Sequence, residues 1–491
     1  MSKKFDVIII GSGIGGLTIA SLLSKNKKVL LLEKNNNFGG YCAAFKRKGY
    51  RFESAVQAIN GLYKGSPIYE VLKKSQALNG VKIVRPRHLY RSIFPDYDIS
   101  VPQANINKYK TLLFSLFPDE KNNIINLFDT LKSIYLEMSR FYRKKTLAKS
   151  PFILKYGRRS LQELMDGFTK NKKLRAVISQ YWMYRGLPPT KLSAITFAYI
   201  WYDYTANGSY FPKDGMHSIM QNLVDFIKNN NGVILHDREV NKLFVDFDRI
   251  TELGLENSSR YEADMVISNI DVFKTFGMVV SGDTLDIESF LSKLKNNFLS
   301  ISAFKIYLGL NIDVRKIGIK DYEIFVNPSY DAESMYQASL NNEFEKVPYS
   351  ITIYSNLSDS FCKKGKSVVS IGLLSGYDFW RNLTRSEYKQ KKEEMAEIIL
   401  SRCEKVIPGL RKYIKVKTIA TPLTMERYTG NSNGSIYGWN KKSLIEEIRF
   451  MNPTTPIKNL LLSSHWTKMG GGIGGVLLSS DRVYNLINNK A

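Results

Sequence analysis

Only three cysteines occur in the 491 residues, at Cys42, Cys362 and Cys403. They are odd in number, far apart and contain no Cys-x-x-Cys pair. That excludes a disulfide framework, offers no zinc-finger spacing, and suits a reducing, cytoplasmic compartment. Histidine is almost as scarce: His88, His217, His236 and His465 are scattered, and each is expected to be structural. There is no HExxH, no GxSxG and no paired metal-ligand spacing, so neither a metal nor a protein nucleophile is expected. No run approaches the ~18 apolar residues of a membrane-spanning helix. Low-complexity segments and internal repeats are also missing. Lys3-Lys4 before an apolar stretch mimics a signal peptide, but Asp6 and the glycine- and serine-rich stretch Gly11 to Gly16 break it.

Acidic residues are in deficit, with 45 Asp and Glu against 71 Lys and Arg, a formal charge of +26. Much of the excess is Lys scattered among Asn, with short clusters at Arg143-Lys144-Lys145, Lys155 and Arg158-Arg159. A solvated basic surface accounts for this, and so does peripheral attraction to an anionic membrane face. Nucleic acid is not expected as a partner, because no zinc-finger, RRM or comparable module is present. The length exceeds what one core usually fills, which favours two interleaved domains.

The first informative unit is a strand, Phe5 to Ile10 (FDVIII), followed by Gly11-Ser12-Gly13-Ile14-Gly15-Gly16 and a helical apolar pattern from Leu17. Val29 to Leu32 supply a second strand, ending at Glu33. In this order the parts suit a dinucleotide. Gly11 permits the tight turn, Gly13 lets the backbone approach a pyrophosphate, and Gly16 allows close helix–strand packing. Ser12 and Gly15 complete the loop, and the helix N-terminus offers N–H groups to phosphate. Glu33 lies where a carboxylate accepts from ribose hydroxyls, which argues against a 2′-phosphate. NAD and FAD both remain open on this unit alone.

Further along, Tyr210-Phe211-Pro212-Lys213-Asp214-Gly215-Met216 leads into a helix that Asn231-Gly232 ends. Strand patterns follow at Gly232 to Leu235, Val240 to Val245 and Tyr261 to Asn269. Near the end, Asn459 to Ser464 reads as a strand, then a glycine-rich loop through His465, Gly470, Gly471 and Gly472, then a helix from about Ile473 to Ile487. Its N-terminus suits negative charge on a reduced flavin. Residues 76–209 read as mostly helical, including Ile125 to Met138, Leu161 to Phe168 and Leu192 to Tyr204. Residues 298–375 alternate as antiparallel strands, and a polar helix is expected over Arg385 to Val406. Glu426 and Arg427 are expected to form an internal ion pair, with action near a flavin as the alternative.

Together these pieces resemble the carotenoid desaturase superfamily, close to the bacterial-type phytoene desaturases, carotenoid isomerases and retinol saturases. The resemblance runs nearly end to end. It rests on DVIIIGSGIGGLTIASLLSKNKKVLLLEKNNNFGG, Phe52 to Val56, Gly186-Leu187-Pro188-Pro189, YFPKDGM, Thr421 to Thr429, Gly434 to Gly438 and the GGGIGGVLLS loop. The first motif is shared with many flavoproteins; its combination with the last two is more specific. Departures are His465, where many relatives carry an Asp that holds the ribityl chain, Ala55 and Gln57 near the expected flavin face, and Asp214 in place of a Gly.

The resemblance implies an α/β fold, with a Rossmann-like FAD-binding domain (1–75, 210–297 and 410–491) interleaved with a mixed sheet-plus-helices substrate domain (76–209 and 298–409). FAD is the implied cofactor. Expected contacts come from Gly11, Ser12, Gly13, Gly15, Gly16, Glu33, Lys34, the pair Gly39-Gly40, Val240 against the adenine, His465, Gly472, Ile473 and Gly474. The implied substrate is a long apolar polyene or isoprenoid, handled by hydride transfer at flavin N5 as desaturase, saturase or isomerase. Aromatics at Tyr181, Trp182, Tyr184, Phe197, Tyr199, Trp201, Tyr202 and Tyr204 would line its tunnel or simply pack the core. An amine-oxidase-like or protoporphyrinogen-oxidase-like enzyme and a non-catalytic FAD-stabilised binding protein remain as alternatives. No catalytic residue is assigned.

Overall fold

The computed structural model describes residues 3–144, 149–281, 287–295, 299–440, 443–444, 452–467 and 470–488. The side chains of Arg143, Lys144 and Lys145, and residues Lys468 and Met469 of the C-terminal loop, lie outside the described residues.

The strand Lys3–Ile10 pairs in parallel with Val29–Leu32 on one side and Arg260–Ser268 on the other. Val7 to Ile10 and Val29 to Leu32 are all buried, as strands covered on both faces must be. Val233–Leu235 extends this parallel core beyond Val29–Leu32, and Leu460–Leu462 joins it on Arg260–Ser268. The hairpin Val240–Asp246 and Arg249–Leu255, with Val279–Ser281, completes an eight-stranded sheet. The helix Ile14–Ser24 is buried along its whole length. It is clamped between this sheet and the C-terminal helix Gly472–Asn488, where Ser480 Oγ donates to the Gly15 carbonyl at 3.0 Å. That contact joins chain positions more than 450 residues apart.

The second sheet has seven strands and is mostly antiparallel, with Ser302–Leu310 paired along its length with Ser367–Ser375. Helices cover one end, chiefly Lys121–Lys144 and Ala194–Tyr202, where Trp201 meets Phe128 edge-on at 4.8 Å. The architecture is α/β, a Rossmann-like unit interleaved with a mixed sheet and helices.

Three readings of the sequence are corrected here. The stretch expected to be helical contains His88–Ile93 and Asp98–Pro102, a hairpin at the edge of the second sheet. Each is only five or six residues long, and outward Arg91 and Asp98, which pair with each other, interrupt the apolar pattern. Ile414–Ala420 pairs with Ser302–Leu310, so the second sheet reaches past residue 410. The helices expected to end at Phe168 and Val406 stop at Asp166 and Cys403.

Candidate active site

One deep cavity of about 590 Å³ runs from the first glycine loop into the helical end of the second sheet. Gly11, Gly13, Gly15, Glu33, Lys34, Gly39, Gly40, Val240, His465, Gly472, Ile473 and Gly474 all line it. Ser12 and Gly16 do not. Ser12 is buried behind the loop, donating its N–H (2.9 Å) and Oγ–H (2.6 Å) to Glu33 Oε2. Gly16 serves packing, because a Cβ there would stand 2.0 Å from the Gly11 carbonyl oxygen.

The loop geometry follows from its glycines. Gly11 sits at φ +93°, where an L side chain is strained. A Cβ on Gly15 would stand 2.4 Å from Asn269 Oδ1. The helix Ile14–Ser24 has no side-chain cap and no acid in its first turn. Its leading N–H groups therefore face the cavity without a side-chain partner, which suits a phosphate. Gly39 forms a bridge with Gly13, donating to the Ser12 carbonyl at 2.9 Å, so the second glycine pair lies against the first loop.

Glu33 is buried, and its carboxylate is already engaged. Beyond Ser12, Oε1 accepts from the N–H (2.9 Å) and Nδ2 (2.8 Å) of Asn35. A ribose hydroxyl would have to join or replace these donors. Lys34 donates to the Arg427 carbonyl at 3.0 Å, and partial burial lowers its pKa. The expected ion pair between Glu426 and Arg427 gives way to a different bond: Tyr377 Oη donates to Glu426 Oε2 at 2.5 Å.

At the other end Ala55 and Gln57, expected near the flavin face, line the cavity beside residues that the sequence did not single out. The segment Ser54 to Gln57 is suspended from the second sheet by three tyrosines. Tyr307, Tyr354 and Tyr322 donate to the carbonyls of Ser54, Val56 and Gln57, each at 2.5 Å. Beside it, Lys305 is 4% exposed and lines the cavity. Its ammonium donates to the Ala55 carbonyl at 3.3 Å and has no carboxylate within 4 Å among the described residues. Burial pulls its pKa down to about 8, opposed by the charges of Glu323 and Glu53. Both acids are buried and pushed up to about 8 by the same loss of water, partly offset by nearby cations. The signal was a lone Lys in the apolar strand SAFKIYLGL and a lone Glu in EIFV; nothing local shows that the two are buried close to each other. Gln57 donates to Ser350 Oγ at 2.8 Å on the same wall. Tyr184, Tyr204, Phe325, Leu373, Leu374 and Ile436 make the rest largely apolar.

Three glycine-bearing segments converging on a helix N-terminus define a dinucleotide-binding site of flavin type on a Rossmann-like fold. Residues 9–75 match the NAD(P)-binding Rossmann-like domain model. Over most of its length the chain is similar in sequence to enzymes named for retinoid and carotenoid chemistry. It is 26% identical to all-trans-retinol 13,14-reductase of Danio rerio, over 96% of this chain and 84% of that protein. It is 27% identical to 1-hydroxycarotenoid 3,4-desaturase of a Flavobacterium species, over 98% and 99%. Prolycopene isomerase of Daucus carota is 25% identical over 89% and 72%. Among solved structures, an oxidoreductase from Methanosarcina mazei superposes with a TM-score of 0.66 at 17% identity, covering 98% of this chain and all of the other. Putrescine oxidase does so at 0.67 and 13%, covering 99% of each. At those identities the structures speak for the fold alone.

Proposed function

We propose that the chain is an FAD-dependent oxidoreductase acting on a long apolar polyene or isoprenoid, as a desaturase, saturase or isomerase. The observation that carries this is the single cavity that joins the glycine loops to an aromatic, largely apolar chamber. Such continuity lets one ligand occupy the loops while another reaches it from the chamber.

In this reading FAD lies along Gly11 to Gly16, with pyrophosphate at the N-terminus of Ile14–Ser24. Ribose lies near Glu33 and Lys34, the adenine near Val240, and Gly39-Gly40 and the Gly472 to Gly474 turn flank the remainder. The bound flavin supplies hydride acceptance or donation at its ring. The tyrosine-suspended Ser54 to Gln57 segment holds the chamber wall rigid beside it. Lys305 is the group on that wall able to hold or move a proton. The apolar side chains exclude water and orient the chain of the substrate. The domain division follows the two sheets, the glycine-loop sheet serving the cofactor and the second sheet with its helices serving the substrate.

A substrate of this kind comes from a bilayer. Leu136, on Lys121–Lys144, lines the chamber and is 49% exposed, and Leu154, on the neighbouring helix Pro151–Tyr156, is 73% exposed. Lys132 and Lys155 are exposed on the same two helices. No helix among the described residues is long and apolar enough to cross a membrane, so the contact proposed is peripheral, to an anionic surface.

The test is to purify the protein, record its visible spectrum before and after incubation with FAD, and analyse extracted lipids. Flavin bands that survive gel filtration, with a polyene or isoprenoid co-purifying, are expected. A protein that stays colourless after incubation overturns the cofactor assignment. Bound flavin reduced by a primary amine but by no isoprenoid overturns the substrate class in favour of the amine-oxidase alternative.

A further inference from the structure

The chamber is not uniformly apolar. Asp203 follows the helix Ala194–Tyr202 and opens a π-helical turn, Asp203–Asn207. It is 5% exposed, yet it lines the cavity together with Asn60, Tyr63 and Tyr135. Its Oδ1 accepts from Asn207 Nδ2 at 2.7 Å, Tyr63 Oη at 2.9 Å and Tyr135 Oη at 3.3 Å. Among the described residues its Oδ2 accepts only from Asn60 Nδ2, at 2.7 Å. Around this group, Tyr135 packs against Tyr199 at 5.4 Å and Tyr202 at 4.9 Å.

A carboxylate buried beside an apolar chamber is expensive to desolvate, and fold stability alone would favour an apolar side chain there. This one is retained without an ion-pair partner among the described residues, in a chain carrying a formal charge of +26. Its four donors come from the 60–63 loop, the helix Lys121–Lys144 and its own π turn, and all are neutral. They fix its orientation without neutralising it. The three-to-one division of donors leaves one acceptor position on Oδ2.

We propose that Asp203 Oδ2 is the anchor for a hydroxyl at the end of an otherwise apolar chain, making the protein selective for an isoprenoid alcohol over the matching hydrocarbon. An alcohol needs one acceptor and brings an oxygen that the second N–H of Asn60 can reach as a donor. An ammonium brings three donors to a site with one open acceptor on Oδ2, where the hydroxyls of Tyr63 and Tyr135 already donate to Oδ1 and accept from Asn207 Nδ2. The turn that carries Asp203 is wound as a π-helix, a distortion that often marks functional positions in helices. This inference rests on the apolar-chain reading of the chamber but not on the direction of the redox reaction.

The experiment is a fluorescence titration of the flavin-loaded protein with farnesol, farnesene and farnesylamine, three ligands sharing one chain. Farnesol is expected to bind about tenfold more tightly than farnesene, the size of one hydrogen bond to a charged group. Asp203→Asn is expected to abolish that preference while leaving farnesene affinity unchanged. Tyr63→Phe breaks the same network on Oδ1 only and is expected to keep the preference, which a purely structural role for the cluster would not allow. Should Asp203→Asn fail to fold, the three wild-type affinities still decide. Equal affinity for alcohol and hydrocarbon overturns the anchor while leaving the apolar-chain reading intact, and a preference for the amine overturns the choice of hydroxyl. If none of the three binds to protein with an intact flavin spectrum, the apolar-chain reading falls and the anchor with it.

Discussion

Single residues set the close approaches on which the site depends. Gly16 has no room for a methyl group, whereas nothing lies within 4 Å of the Cβ position of Gly277, whose φ is ordinary. Gly16→Ala should therefore cost about 1–3 kcal/mol or more through overpacking and weaken flavin retention. Gly277→Ala should stay within about 0.5 kcal/mol. Chemical denaturation and flavin absorbance after desalting check both. The buried Lys305, Glu53 and Glu323 make a second prediction, in pH. Each acid is raised from 4.5 to about 8, so the folded state binds more protons than the unfolded one between those values, and their contribution falls as pH rises through that window. Lys305 is lowered from 10.5 to about 8, so the unfolded state binds more protons there and its contribution grows from about pH 8 to 10.5. The three together produce a minimum near pH 8. Lys305→Met should remove the rise on the alkaline side, and thermal melts across the range would show it. The glycine spacing around Gly11 to Gly16 was legible in the chain because each glycine answers a local backbone demand. Lys305 was not, because its meaning depends on Glu53 and Glu323, which lie on other strands.

At the scale of elements, the decisive arrangement is the C-terminal loop that carries His465 between Leu460–Leu462 and Gly472–Asn488. It is held by an edge-on pair, Trp439 and Trp466, with centroids 4.9 Å apart. Trp439 Nε1 donates to the Trp466 carbonyl at 2.9 Å, and Trp466 Nε1 donates to Asn431 Oδ1 at 3.3 Å. Trp439→Ala should cost about 3–5 kcal/mol, since it leaves a large cavity in a fully buried position. It should also loosen flavin binding, because the loop that it positions lines the cofactor end of the cavity. Urea unfolding and the flavin-to-protein ratio after gel filtration measure the two effects. This loop was readable as strand, glycines and helix. Its support was not, since two tryptophans 27 positions apart carry no periodic signal. The edge hairpin His88–Ile93 and Asp98–Pro102 escaped for a related reason: short strands with charged outward positions look like loop until a neighbouring strand supplies their hydrogen bonds.

For the whole molecule, the peripheral contact proposed above rests on the formal charge of +26 and on exposed Leu136 and Leu154, with Lys132 and Lys155 exposed on the same two helices. Vesicles containing anionic lipid should sediment the protein at low salt and release it as ionic strength rises, because Lys and Arg contacts are screened. Leu154→Asp should reduce that binding several-fold without altering the flavin spectrum, and neutral vesicles should bind weakly. What the amino-acid order determined by itself was the parallel strand–loop–helix unit, the acid that ends the second strand, the C-terminal glycine loop, and the resemblance that joined them into one class. These are local patterns, set by backbone conformations that few residues besides glycine adopt and by the burial of continuous apolar strands. Only the tertiary structure decided that Glu33 is shared with Ser12 and Asn35, and that the chamber-lining Lys305 is buried within reach of the charge of Glu323. It also decided that Asp203 lines that chamber, braced by residues from the 60–63 loop, a distant helix and its own π turn. Those relations arise from long-range strand pairing and helix packing, where residues far apart in the chain share one desolvated space. The energy of a buried charge depends on which groups enter that space with it.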